Sequence, residues 1–268
     1  MFRQSQWIVG LFCLVIVVAY GAPAQSAPIT SGSVQFVFDN NSPLFSGSGG
    51  PLTLNRWYGP GVATLTGPQI TSGTGGDPIV TPPDLVTEEA FLNGASVVNP
   101  TGRARQTTNL DVAFNNVLAT WGPTEQVGVD AVLRTTAPGP STLVLGDFSL
   151  VNSSGTLTLV NNFSFPASAF TIGSPVFMDL GYGFSVSGTL SVAGDLATLL
   201  FLSGFPVPVG TPVGTFSMVA VPEPAVAGVA CVGVAALILA RRRSRMRVVR
   251  EATPEADRCN RTPGESDA

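Results

Sequence analysis

The chain has 268 residues, 44% of them hydrophobic and 11% charged. All 13 basic residues are arginine and there is no histidine, which excludes His-ligated metals, Ser-His-Asp triads and lysine Schiff bases. Between Gln25 and Ala220 four arginines stand against eleven carboxylates, a net charge of −7, and an acidic domain of this kind does not attract nucleic acid.

The chain opens with Arg3, an apolar run from Trp7 to Tyr20, and Gly21-Ala22-Pro23-Ala24. A charged start, an apolar stretch and a small-residue A-x-A site make a secretory signal peptide over 1–24, with Ala22 and Ala24 forming the cleavage site. Of the three cysteines, Cys13 lies in this run, Cys231 in a second apolar run and Cys259 in the tail. The intervening domain, 25–220, therefore has no internal disulfide and no thiol nucleophile, and relies on its core.

That domain begins with an alternating strand over 33–38, ended by Asp39-Asn40-Asn41-Ser42-Pro43 as a turn. Residues 52–65, carrying Trp57 and Tyr58, read as a strand pair broken at Gly59-Pro60-Gly61, and 67–83 as loop. Asp84, the acids Glu88 and Glu89, and Asn93-Gly94 bracket 85–92 with helix start and stop signals, so this stretch is the one expected helix, with Leu85, Phe91 and Leu92 facing the core. Strands are expected over 108–118, 127–134, 142–150, 156–163, 176–179, 183–192, 196–202 and 214–221, with Asn152-Ser153-Ser154-Gly155 as a hairpin turn. Pro206, Pro208 and Pro212 make 204–213 an extended connector. Many short strands at roughly ten-residue spacing predict an all-β domain of the β-sandwich or jelly-roll kind.

The C-terminal part has three elements in order: Val221-Pro222-Glu223-Pro224, an apolar run from Ala225 to Ala240, and Arg241-Arg242-Arg243. The run has 16 residues, about 24 Å as a helix against a hydrocarbon core of about 30 Å. Its seven larger apolar side chains contribute on the order of −2 to −4 kcal/mol to insertion. It is expected to be a transmembrane helix and a weak anchor. The basic stretch from Arg241 meets no carboxylate until Glu251, which orients this end toward the cytoplasm and the domain outward. Pro222 and Pro224 keep Glu223 extended just outside the membrane.

These residues, 221–243, resemble the PEP-CTERM sorting signal of Gram-negative bacteria. The resemblance implies export through the secretory translocon and recognition by an exosortase, a membrane cysteine transpeptidase-like enzyme. It further implies cleavage near Pro222-Glu223-Pro224, with a final location at the cell surface or in the extracellular matrix. Members of that family are often linked to exopolysaccharide or biofilm matrix, so exopolysaccharide is a candidate partner beside the membrane itself. The family's signal usually ends soon after its basic cluster, whereas this chain continues through a polar, Pro-containing tail over 244–268, expected to be disordered and cytoplasmic.

The central domain offers little chemistry. Asp111, Asp130, Asp147 and Asp179 fall on separate predicted strands, and a pair of them meeting in space is the one route to a glycan hydrolase. Glu88 and Glu89 are adjacent and do not face each other on a helix. Asp39-Asn40-Asn41, Asn115-Asn116 and Asn161-Asn162 read as turn caps rather than calcium ligands. Trp57, Tyr58, Trp121 and Tyr182 read as core, with a sugar-stacking platform as the alternative. Gly73-Thr74-Gly75-Gly76 lacks the context of a phosphate cradle. The expectation is thus a non-enzymatic exported protein, structural or adhesive, without cofactor or metal; a carbohydrate-binding surface module is the alternative and a hydrolase the weaker one.

Overall fold

In a computed structural model of the chain, residues 27–222 are described, apart from 60–62, 81, 114–115 and 138–140. Thirteen strands are found among them: β1 (Ala27–Asp39), β2 (Thr53–Tyr58), β3 (Asp77–Pro78), β4 (Leu85–Leu92), β5 (Asp111–Val112), β6 (Gln126–Asp130), β7 (Val132–Thr136), β8 (Thr142–Gly146), β9 (Ser149–Ser153), β10 (Thr156–Asn161), β11 (Ala167–Asp179), β12 (Phe184–Val192) and β13 (Pro212–Pro222). The all-β expectation holds. The sandwich or jelly roll does not: eight strands run in the order β13-β12-β11-β10-β9-β6-β4-β1, and β1 pairs again with β13, closing a barrel. Every neighbouring pair in it is antiparallel. Closure removes the two free edges that an open sheet would expose.

Alternation explains the filling. Along β12 (FSVSGTLSV) Phe184, Val186, Leu190 and Val192 are buried, and along β13 Val213, Phe216, Met218 and Ala220 are. An eight-stranded barrel is just wide enough for its side chains to fill it. Here aromatic rings fill it: Phe36 lies 5.5 Å from Phe216, 6.0 Å from Phe148 and 5.8 Å from Phe38, and Phe148 lies 6.3 Å from Phe170. At the seam Gly214 (φ +150°) comes so close to β1 that a Cβ there would collide with the Val37 carbonyl oxygen.

The chain bends at Ala131 and again at Asp147-Phe148, so the β6–β9 pair of the barrel continues as the β7–β8 pair of a second sheet, ordered β3-β2-β7-β8. This sheet shares the barrel's core through Leu54, Trp57, Leu133 and Leu145. Trp57 stands 5.3 Å from Phe36 and 6.0 Å from Phe38, and its indole Nε1 donates to the Glu89 carbonyl of β4 at 2.9 Å. The second sheet therefore lies at the end of the barrel where β1 finishes. A helix, Gly194–Leu202, links β12 to β13 at that same end. The other end carries the start of β1, the end of β13 and the β9–β10 and β11–β12 hairpins.

Several local expectations are corrected. Residues 85–92 form strand β4, not a helix: β4 pairs with β1 from Asp39↔Leu85 to Ser33↔Phe91, and buries Val86, Ala90 and Leu92 at period two. Leu85 and Phe91 point outward. The helix-start signal at Asp84 is overridden by long-range pairing with β1, and the Asp84 carbonyl accepts from the Asn40 amide at 2.8 Å. Conversely, 196–202 is helical, not a strand. Its Leu/Ala composition favours helix, and Leu196, Ala197 and Leu200 share a buried face. Residues 67–83 include the helix Gly67–Ser72, started by a capping box between Thr66 and Gln69. Among the described residues of 52–65 the one strand is β2, not a strand pair, and among those of 108–118 only Asp111–Val112 forms a strand, followed by the short helix Val117–Thr120.

The hairpin over 152–155 forms as expected, with Ser154 (φ +52°) and Gly155 (φ +87°) both left-handed, as a two-residue type I′ turn requires. The signal peptide, the transmembrane run and the tail lie outside the described residues, and so do Ala22, Ala24, Glu223, Pro224, Arg241, Arg242 and Arg243. Val221 and Pro222 are the last residues of β13, where Pro222 is placed opposite Ile29. Among the described residues no helix is long and apolar enough to cross a membrane.

Candidate functional site

Asp130 and Asp147 meet in space, and the reason is the bend between barrel and second sheet. Asp130 ends β6 just before the bend at Ala131, and Asp147 sits in the returning bend, its amide donating to the Ala131 carbonyl at 2.8 Å. Two arginines from the irregular segment between β4 and β5 close on the pair. Arg103 Nε donates to both Asp147 carboxylate oxygens at 2.9 and 3.0 Å, and its Nη2 donates to Asp147 Oδ1 at 2.5 Å and to Asp130 Oδ1 at 3.3 Å. Arg105 Nη2 donates to Asp130 Oδ2 and to Asn93 Oδ1, each at 2.9 Å. The Ala104 amide between them donates to Asp147 Oδ2 at 2.8 Å.

The cluster is formally neutral and largely buried. The side chains of Arg103 and Asp147 have no exposed surface, and those of Asp130 and Arg105 are 9% and 11% exposed. Burial pushes the Asp130 carboxyl above its usual range, opposed by the positive charge of Arg105 and Arg103. Each carboxylate oxygen is thus committed to a guanidinium or an amide. The geometry is that of a brace: Arg103 Nη1 also holds the Leu65 carbonyl, and Arg105 Nη1 the Val98 carbonyl, each at 3.3 Å.

Beside the brace lies an open depression of about 610 Å³, with Phe91, Val97, Val98 and Pro100 on its apolar side and Asn93, Arg105 and Asp130 on its polar side. Asp111 and Asp179 do not join this cluster; both are exposed on β5 and β11. Glu88 and Glu89 point to opposite sides of β4. Glu88 lies on the inner side with Val86 and Ala90, half-buried, and its carboxyl is raised to about 7 by burial and by the negative charge of Asp77 in the second sheet.

The remaining sequence candidates resolve as structure. Trp57, Tyr58 and Trp121 are buried, so the four aromatics form no sugar-stacking platform; Tyr182 alone of them is exposed. Asp39 Oδ1 accepts from the Asn41 amide at 2.9 Å as a turn cap. Asn161 is fully buried, accepting from the Gly146 amide at 2.7 Å and donating to the carbonyls of Phe163 and Phe165. The Asn162 side-chain Nδ2 donates to the Asp147 carbonyl at 2.8 Å. Gly75 and Gly76 turn their carbonyls to Arg56 Nη1, an orientation that suits a cation and not a phosphate. Among the described residues no group of three or more acidic or cysteine side chains is placed to hold a metal ion.

The arginines of the brace were not singled out in the sequence. The signal was there: Arg103-Ala104-Arg105 holds two of the four basic residues of the domain, one residue apart, upstream of Asp130 and Asp147 on predicted strands. No family model matches this chain, no curated protein matches it, and no solved structure matches it.

Proposed function

We propose that this chain is an exported protein whose barrel is displayed outside the inner membrane. The secretory translocon carries it across, a short C-terminal helix holds it, and an exosortase processes it near Pro222-Glu223-Pro224. Its role at the surface or in the matrix is structural or adhesive, in association with exopolysaccharide. The observation that carries this reading is the order of parts at 221–243: a Pro-Glu-Pro, a weakly apolar run and a triple arginine.

The barrel is compatible with that route. Its first and last strands lie side by side, and the start of β1 and the end of β13 fall at one end of it. A folded domain with a ring-filled core and no free barrel edge suits a molecule that must persist outside the cell. The test is the C-terminal residue of the mature protein, determined by mass spectrometry in cells with and without an exosortase. A terminus near Pro224 only in exosortase-positive cells supports the reading. A terminus at Ala268 in both sinks the processing step.

A further inference from the structure

Several hydroxyls of the domain serve its own backbone. Those of Ser42, Thr71, Thr120, Thr198 and Ser203 each donate to a carbonyl in a turn or helix. On the outer surface of β1, β13 and β12 the polar side chains are arranged differently. Gln35 lies opposite Ser217, and Ser217 opposite Ser187. The next row has Thr215 opposite Thr189, and the row on the other side has Ser185 opposite Val219. The register is unbroken from Ser33 to Phe38 and from Phe184 to Leu190, so these groups repeat at about 4.8 Å across the strands and about 6.8 Å along them. Gln35, Ser187, Thr189 and Thr215 are exposed, and Ser185 and Ser217 are half-buried. Among the described residues none of these six side chains has a hydrogen-bond partner in the protein.

The same face lacks charge. β12 and β13 contain no charged residue, and β1 contains only Asp39, its last. Strands β9 and β10 are uncharged too, but bury most of their residues. Glu89 of β4, opposite Gln35, marks the border of the face.

These properties select the chemistry of a ligand. Protein-binding surfaces are enriched in aromatic residues, methionine and arginine and depleted in serine, the reverse of this array. No cation is present on it to neutralise phosphate or another polyanion. Lipid is unsuited, since a hydroxyl taken out of water without a partner is unfavourable. A serine or threonine hydroxyl both donates and accepts, and so does each hydroxyl of a sugar. One such bond contributes little net, so a repeating array suits a repeating ligand held at several points at once.

We propose that the outer β1–β13–β12 face binds an uncharged polysaccharide through Gln35, Ser185, Ser187, Thr189, Thr215 and Ser217. This rests on the matrix reading above for the source of the polymer, and narrows it to a neutral glycan.

The full-length chain in detergent micelles is cosedimented, in high salt, with insoluble cellulose, curdlan and mannan as neutral polymers and with carboxymethyl-cellulose resin as the anionic comparison. Sedimentation with at least one neutral polymer and not with the resin is expected. Ser187→Glu should weaken that binding about tenfold. Thr53→Glu makes the same charge change at an exposed position of the second sheet and should leave it unaltered. The paired Ser187→Ala and Ser217→Ala variant, which keeps the face uncharged and the strands intact, should lose binding in the same direction. Binding to none of the neutral polymers overturns the proposal. So does binding to the anionic resin alone, or binding that both Ser187→Glu and the alanine pair leave unchanged. Those results leave exosortase processing standing, and a mature terminus at Ala268 leaves the binding result standing.

Discussion

Arg103 and Asp147 form a fully buried pair joined by three hydrogen bonds, across 44 residues of sequence, at the bend where the barrel passes into its second sheet. A buried pair of this kind is easier to break than to do without. Removing one member leaves a desolvated charge, whereas removing both leaves only shape to be refilled. Arg103→Met should therefore destabilise the domain by about 3–5 kcal/mol, while Arg103→Met with Asp147→Leu should cost clearly less. Arg103→Lys should not rescue, because an ammonium cannot reproduce the fork. Urea denaturation of the three variants measures the difference.

Arg105 makes a different prediction. Its guanidinium reaches Asp130 and Asn93, but its buried Nε has no hydrogen-bond partner among the described residues. Asp130 retains Arg103 when Arg105 is lost. Arg105→Ala should thus cost about 1–2 kcal/mol, less than the loss of Arg103. The same denaturation series checks the ranking, and an equal or larger loss for Arg105 would contradict the brace as described.

Glu88 gives the domain a pH dependence. Its carboxyl titrates near 7 in the fold against 4.5 in the unfolded chain, through burial first and the charge of Asp77 second. Between those values the folded state holds more protons than the unfolded one, so stability is greatest below about 4.5 and is lost as pH rises through 7. Allowing for solvent screening of a half-buried group, the contribution is about 1–2 kcal/mol. Glu88→Gln should raise the thermal midpoint at pH 8 and leave it little changed at pH 5. A wild-type midpoint that does not fall relative to Glu88→Gln between those pH values would exclude the effect.

At the barrel seam, Gly214→Ala places a methyl group against the Val37 carbonyl in a backbone conformation that L-residues rarely adopt. A loss of about 1–3 kcal/mol is expected, with the strain concentrated on β1–β13 pairing. Amide hydrogen exchange of the residues flanking Gly214 and Val37 should accelerate more than exchange in β9 and β10. Uniform acceleration would place the strain elsewhere.

The strands with clean alternation were legible. β12 and β13 read as strands because their apolar residues recur at period two, and the 152–155 turn was legible from its Asn and Gly. Barrel closure was not, because it depends on pairing between the first and last strands, which leaves no local trace. β4 was misread because its acids and Asp84 mimic a helix start, while what decides its structure is the partner strand β1. Thr66 and Gln69 were a capping signal in plain view, masked by the surrounding glycines and prolines. At the brace, the aspartates were recognisable as acids on separate strands that could meet, but their arginines were not, since Arg103 and Arg105 lie in a segment with no periodicity to say which way it turns.

The pairing of β1 with β13 sets the order in which the molecule can mature. Phe36 faces Phe216, 180 residues later in the chain. The first strand is made, and under the proposed route delivered, long before its final neighbour exists. Until then one side of β1 is a bare row of amides and carbonyls, open to any other extended chain. Contacts this distant in sequence also form slowly. A chain cut or stalled before 212 has no closing strand at all and is a substrate for aggregation or proteolysis, so the last strand to emerge acts as the quality check on everything before it.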